Sequence, residues 1–357
     1  MNSRTVLILA GLAAALGAGA VLVVTGTIPL PQRAGTPQDT SAKQPGATQP
    51  DTTQPKSAAE PDGKKTILPS QTGTAPTGDD AAYAAFDQGK YLTALKLAEE
   101  AAAKGEPQAH TLVARIYAEG RGVPKDPKTA AEWYRKAADL GDVPAMVSLA
   151  VMLAGGTGVD KDRTKAAELF EKAALTGDPL ANYNLGLLFL RGEGKPENPH
   201  RAAAHIRFAA EKGVASAQYD LAALYQSGSG VEIDAVEAAR WMSKAAEQKL
   251  PEAQFEYAVM LLRGFGLTVD KGKAIEYLTA AAETGIAGAQ NRLGRAYAEG
   301  IGVNRDPIAA AKWRLIAKAS GVEDKELDVM VATLPQADRI AAEKAATLWR
   351  ERKQAGE

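Results

Sequence analysis

The sequence predicts an all-α protein, a right-handed α-solenoid of helical hairpins, and three observations predict it. Gly105, Gly141, Gly177, Gly213, Gly285 and Gly321 recur every 36 residues, with Lys249 on the one rung that lacks glycine. Between the rungs a glycine pair recurs in step, from Gly120 and Gly122 through Gly156 and Gly158, Gly192 and Gly194, Gly228 and Gly230, and Gly264 and Gly266 to Gly300 and Gly302. Ahead of each pair, apolar residues fall at i, i+4, i+7 and i+8, as in Ala217, Leu221, Leu224 and Tyr225, which is one face of an amphipathic helix. A hairpin of this size cannot bury both of its faces, so the units must stack.

In chain order, residues 1–25 come first, and Thr5 and Thr25 bound an uncharged apolar run about 20 residues long, enough to cross a bilayer as a helix. Only Arg4 and the amino terminus precede it, which keeps positive charge inside and exports the C-terminal bulk of the chain. The alternative is a signal peptide cleaved near Ala18-Gly19-Ala20; Val21 to Val24 continue the apolar run past that point and favour an uncleaved anchor. Residues 26–78 are rich in Pro, Thr, Gln, Ala and Gly. They bury too little to offset their ordering entropy and read as a disordered tether with a span of roughly 40 Å. Residues 79–106, with Tyr83, Phe86, Gly89, Tyr91 and Leu97, read as a capping hairpin without the glycine-pair connector.

Six units occupy 107–321. In each, a first helix ends at the glycine pair, where the left-handed conformation closes the last carbonyls. Asp126, Asp162, Asn198, Asp234, Asp270 and Asp306 come four residues after the second glycine and cap a second helix, with proline next in three cases. That helix carries a bulky pair such as Trp133-Tyr134, Leu169-Phe170 or Trp241-Met242, then two alanines that allow close approach. Lys249 in a left-handed position costs on the order of 1 kcal/mol and marks a soft junction. In the last unit Arg314 and Lys318 replace apolar residues, which reads as the polar end of a stack. Residues 322–357 read as two capping helices, the second burying Ile340, Ala341, Ala345, Leu348 and Trp349.

This pattern resembles the Sel1-like repeat, a relative of the tetratricopeptide repeat, over six consecutive units. With the anchor and tether, the chain resembles membrane-anchored bacterial envelope proteins of that group, among them the periplasmic part of PodJ-type polar localisation factors and exported regulators of the ExoR type. The resemblance implies that the third, seventh and tenth positions of each first helix line a concave groove. Those positions are Val147, Val151 and Ala154; Tyr183, Leu187 and Leu190; Tyr219, Ala223 and Gln226; and Phe255, Val259 and Leu262. Thr111, Arg115, Asn291 and Arg295 would form its polar rim. The same residues also suit packing between units. Exposure separates the two readings: a groove expects Tyr183, Leu187, Tyr219, Phe255 and Val259 to be partly open, unlike the core positions Leu185, Leu221 and Trp241.

The chemistry available is narrow. The chain has no cysteine, so disulfides, thiolate metal sites and cysteine nucleophiles are excluded. A net charge of -1 with mixed signs gives no footprint for nucleic acid. His200 and His205 lack the i, i+4 spacing of helical metal ligands, and His205 takes a place held elsewhere by Trp, Leu or Tyr, which suits a packed core histidine. No serine sits in a nucleophile elbow, and the glycine pairs follow helices, where phosphate loops follow strands. The expected function is therefore a membrane-tethered periplasmic scaffold or adaptor that binds a protein or peptide, without cofactor, metal or enzyme activity of its own. The alternatives are a carrier or regulator of cell-wall hydrolysis and an exported regulator of exopolysaccharide signalling.

Overall fold

The computed structural model describes residues 6–8, 26–28 and 78–355. From residue 78 onward it is helical throughout. The opening hairpin pairs α1 (Gly78–Asp87) with α2 (Tyr91–Ala102). The six units are α3 (Pro107–Glu119) with α4 (Pro127–Asp139), α5 (Val143–Gly155) with α6 (Arg163–Leu175), and α7 (Pro179–Arg191) with α8 (Pro199–Glu211). They continue with α9 (Ala215–Ser227) and α10 (Ala235–Glu247), α11 (Pro251–Arg263) and α12 (Lys271–Glu283), and α13 (Ala287–Glu299) and α14 (Pro307–Ala319). The helices α15 (Lys325–Thr333) and α16 (Gln336–Ala355) complete the chain. Every helix of the array packs on its predecessor and its successor, so each second helix is sandwiched between two first helices.

The expected membrane helix over 5–25 lies mostly outside the described residues. At Val6–Ile8 the chain instead forms a strand, β1, paired antiparallel with β2 at Gly26–Ile28. Val-Leu-Ile is a run that suits a strand as well as a helix. Among the described residues no helix is long and apolar enough to cross a membrane.

Local chemistry sets each boundary. The side chains of Asp126, Asp162, Asn198, Asp234, Asp270 and Asp306 all accept from backbone N–H groups of the helices they begin. Each first helix ends on a left-handed glycine, such as Gly120 at φ 72°. The second glycine of the pair has a different task. A Cβ on Gly266 would overlap the Ala235 carbonyl, and one on Gly230 the Pro199 carbonyl, so each connector rests directly on the start of the previous unit's second helix. Lys249 adopts φ 63°, the one positive φ outside glycine among the described residues.

The core is a continuous file of alanines flanked by larger apolar residues. Ala130, Ala166, Ala202, Ala238, Ala274 and Ala310, one per unit, are fully buried, as are Ala109, Ala145, Ala181, Ala217, Ala253 and Ala289 on the first helices. Small residues at these phases bring backbones close, and Phe170, Ile206, Met242 and Leu278 fill the layers between them. A smaller core of Ala82, Phe86, Ala94, Leu112 and Ile116 joins the opening hairpin to the first unit.

The last unit corrects one expectation. Arg314 is not a solvent-facing end residue; it is 1% exposed. Its guanidinium donates to both carboxylate oxygens of Asp328, to the Val322 carbonyl and to the Asn291 side chain. Arg295 and Asn291 donate to Asp324, the N-cap of α15. The polar residues of the last unit thus tie α15 down. α16 closes the array with Trp349, whose ring meets Trp313 edge to face at 6.0 Å and whose Nε1 donates to Glu283 at 2.7 Å. On α16 the buried face is Ala342, Ala346 and Trp349, whereas Ile340, Ala341 and Leu348 are exposed and Ala345 is half-buried. The buried face follows i, i+4 and i+7 from Ala342 through Ala346 to Trp349, so Trp349 alone of the expected set is fully buried.

Candidate partner-binding face

Each first helix is held on two sides by second helices, and the side it shows to the neighbouring first helices carries the third, fourth, seventh and tenth positions of the unit. Expected exposure there does not hold for most residues. Val147, Ala154, Tyr183, Leu187, Leu190, Tyr219 and Val259 are buried, whereas Val151, Ala223, Phe255 and Leu262 are half-open and Gln226 is exposed. The cause is the closeness that the alanines permit: the next unit covers the large side chains of the one before. Tyr183 of α7 reaches α9 and donates to Asp220 at 2.8 Å, and the Phe255 ring lies 3.0 Å from where a Cβ on Gly288 of α13 would stand. At the expected rim, Thr111 donates to Asp142, and Asn291 and Arg295 are bound to Asp324, so these residues hold one unit to the next.

Sequence reasoning passed over the fourth position, which reads Ser148, Asn184, Asp220, Glu256 and Arg292 in successive units. Aligning the units as columns shows it, since an apolar Leu112 in the first unit gives way to polar and then charged residues. Asn184 is completely buried; its amide N–H donates to Leu180 O at 2.9 Å, and its Oδ1 accepts no hydrogen bond among the described residues. Asp220 is 3% exposed. Burial pushes its carboxyl up to about 6, against the opposing pull of the Tyr183 hydroxyl and of Arg191. Burial followed by Asp220 raises the Tyr183 phenol well above its ordinary value. Tyr219 is raised by burial and then by Glu256 and Asp220.

The track opens toward the last units. Glu256 is half-buried and held above the ordinary carboxylate value by burial, with Arg292 and Arg263 acting in the opposite sense. Arg292 is pushed down by burial and by Arg263, and its guanidinium stands 5.7 Å from the Phe255 ring centroid. At this end Phe255, Glu256, Leu262 and Arg292 are half-open and Arg263, one position past the tenth, is exposed; together they combine an aromatic anchor with both signs of charge. Such a surface suits recognition more than catalysis. His205, on the second-helix side, stacks on Phe189 at 5.8 Å and has Nδ1 2.9 Å from Asn182 Oδ1, so it is a packed side chain.

Comparison with known families decides the lineage. The Sel1 repeat model matches residues 107–142, 143–178, 179–214, 215–250, 251–285 and 287–321, more than half of the chain. The chain belongs to the Sel1 repeat family. Among solved structures it is similar to a Sel1 repeat protein from Oxalobacter formigenes, at 28% identity and a TM-score of 0.61, covering 70% of this chain and 99% of that one. It is also similar to c5321, a protective antigen of uropathogenic Escherichia coli with the same kind of fold, at 27% identity and a TM-score of 0.51 over 77% of this chain and 68% of that one. Comparison with curated proteins returned no match. Sel1 repeat arrays are typically non-enzymatic solenoids that mediate protein–protein interactions.

Proposed function

We propose that this Sel1 repeat protein is a membrane-tethered scaffold of the bacterial periplasm that binds a protein or peptide partner along the first-helix face. The partner engages the open end of that face, at Phe255, Glu256, Leu262, Arg263 and Arg292. One observation carries the reading: polar and ionisable groups occupy the fourth position where apolar residues would pack the stack more stably. A buried carboxylate or an unpartnered amide oxygen costs free energy on folding. Asp220, Glu256 and Asn184 therefore serve something besides stability, and recognition by a stack of helices is what this family's architecture supports. The uncharged run at 5–25 with Arg4 ahead of it, and the Pro/Thr/Gln-rich stretch after it, support the tether and the export of the array.

The test has two parts. The full chain and a Phe255→Ser/Glu256→Gln/Arg292→Gln variant are used as bait in envelope extract, with thermal melts in parallel. A partner retained by the wild type and lost by a variant of unchanged melting temperature supports the face; equal capture by both sinks it. A C-terminal alkaline phosphatase fusion is expected to be active and to stay with membranes through a carbonate wash. An inactive fusion reverses the topology.

A further inference from the structure

A second surface lies on the connector edge of the fourth and fifth units, away from the first-helix face. The position two residues before each second helix carries Lys125, Lys161, Glu197 and Arg305 in four units, but Ile233 and Val269 in the other two. The second residue of the helix is Lys128, Thr164 and His200 in the first three units and Val236 in the fourth. Between the paired glycines stand Arg121, Thr157, Glu193 and Ser229, then Phe265. These sites are polar in the first three units; the fourth and fifth place Ile233, Val236, Phe265 and Val269 there, and the sixth mixes the half-buried Ile301 and Ile308 with the charged Arg305. Ile233, Val236, Phe265 and Val269 are 70%, 64%, 40% and 53% exposed.

The fold brings the four together. Gly266 rests on the Ala235 carbonyl and the Val236 N–H, so the connector carrying Phe265 and Val269 lies on the segment carrying Ile233 and Val236. From this lip an open cleft of about 450 Å³ runs along α10, lined by Val236, Leu267, Tyr257, Arg240, Lys244 and Glu247. Arg240 and Lys244 also border a second cleft of about 380 Å³ on the other side of α10. Arg240 is paired with Glu237 at 2.9 Å, whereas Lys244 stands 4.0 Å over the Trp241 ring, with no carboxylate within ion-pair distance among the described residues. Lys273 lies 5.8 Å from the Tyr257 ring centroid. Of the carboxylates beside them, Glu237 is taken by Arg240 and Trp241, and Glu247 accepts from Ser243.

We propose that this lip and cleft dock an extended segment of a partner protein that carries two bulky apolar side chains followed by carboxylates. The apolar pair covers Ile233, Val236, Phe265 and Val269, and the carboxylates run into the cleft toward Lys244 and Lys273. An exposed apolar patch set beside cations without carboxylate partners fits that chemistry. The surface shares no residue with the first-helix face, so either can fail alone.

Fluorescence anisotropy with the full chain tests it, using a labelled peptide with two phenylalanines followed by three glutamates and a twin with lysines in place of the glutamates. The glutamate peptide is expected to bind at least ten-fold more tightly than its twin and to weaken with salt. Ile233→Gln/Val236→Thr/Phe265→Ser/Val269→Gln places neutral polar residues where the first three units are polar, and is expected to lose binding at least ten-fold with an unchanged melting temperature. Lys244→Glu is expected to weaken the glutamate peptide selectively. Equal binding of the twin, undiminished binding by the four-site variant, or no binding of either peptide overturns the proposal. So does light scattering that shows a dimer which the four-site variant dissolves, since the patch would then belong to a second copy.

Discussion

Arg314 Nε and Nη2 meet Asp328 Oδ1 and Oδ2 at 2.8 and 3.0 Å, a two-pronged ion pair that fastens the last repeat to α15. Removing one partner of a buried pair costs about 3–5 kcal/mol, and because the Asp328 side chain is 31% exposed the expected loss for Asp328→Ala is nearer 2 kcal/mol. A double-mutant cycle with Arg314→Met is expected to show coupling of at least about 1 kcal/mol in urea denaturation. Arg314 holds the Asp328 carboxyl below its ordinary value. The contact is thus fully present above the ordinary carboxylate range and is lost as pH falls through the depressed value. Additive single and double variants would show that α15 is held by packing alone.

Asp220 predicts the opposite pH dependence. Its folded value of about 6 lies above the ordinary 3.8, so the folded state holds the proton more tightly than the unfolded chain. The favourable contribution of the protonated carboxyl is complete below about pH 3.8 and disappears as pH rises through about 6. Above that, the ionised buried group costs on the order of 3 kcal/mol. Asp220→Asn keeps an acceptor for Tyr183 and is expected to raise the melting temperature at pH 8 while leaving it unchanged near pH 4. An equal effect at both pH values would exclude titration of Asp220 as the cause.

The glycine ladder, the Asp and Asn caps and the paired apolar positions were legible in the sequence because each is a local rule repeated in every unit. Lys249 at a left-handed φ could be foreseen for the same reason. What could not be read was how far a unit covers its predecessor. Tyr183 and Tyr219 are as aromatic as an open groove requires, and only the approach of α9 and α11 buries them. The fourth-position track escaped because Ser, Asn, Asp, Glu and Arg look like ordinary helix polarity within one unit; they form a feature only when the units are set in columns. Arg314 misled for a related reason. A charge in an apolar position marks an exposed end unless a carboxylate from beyond the repeat, here Asp328, comes to meet it.

Lys249 gives a prediction free of packing. It is exposed, and a β-carbon at φ 63° costs on the order of 1 kcal/mol. Lys249→Gly restores the residue used on the other rungs and is expected to stabilise the chain by about 0.5–1 kcal/mol, less the extra backbone entropy that glycine brings to the unfolded state. Chemical denaturation reads the difference. A destabilised variant would mean that the Lys249 side chain makes a contact worth more than the strain.

The two kinds of glycine are expected to respond differently to the same substitution. Gly285 has φ 105° and open space around the missing Cβ, so Gly285→Ala carries only the conformational cost, about 1 kcal/mol. Gly266 has φ 70° and sits against the Ala235 carbonyl, so its alanine adds an overlap with backbone that cannot swing aside as a side chain would. Forcing atoms into a filled site typically costs about 1–3 kcal/mol more, which puts Gly266→Ala at about 2–4 kcal/mol. The strain is shared across two units, so hydrogen exchange in the first turn of α10 should rise in Gly266→Ala and stay unchanged in Gly285→Ala. Because Phe265 and Val269 ride on the same connector, Gly266→Ala is also expected to weaken the acidic peptide. Equal losses of stability for the two variants would show that the connector glycines serve conformation alone and that the contact with Ala235 relaxes at little cost.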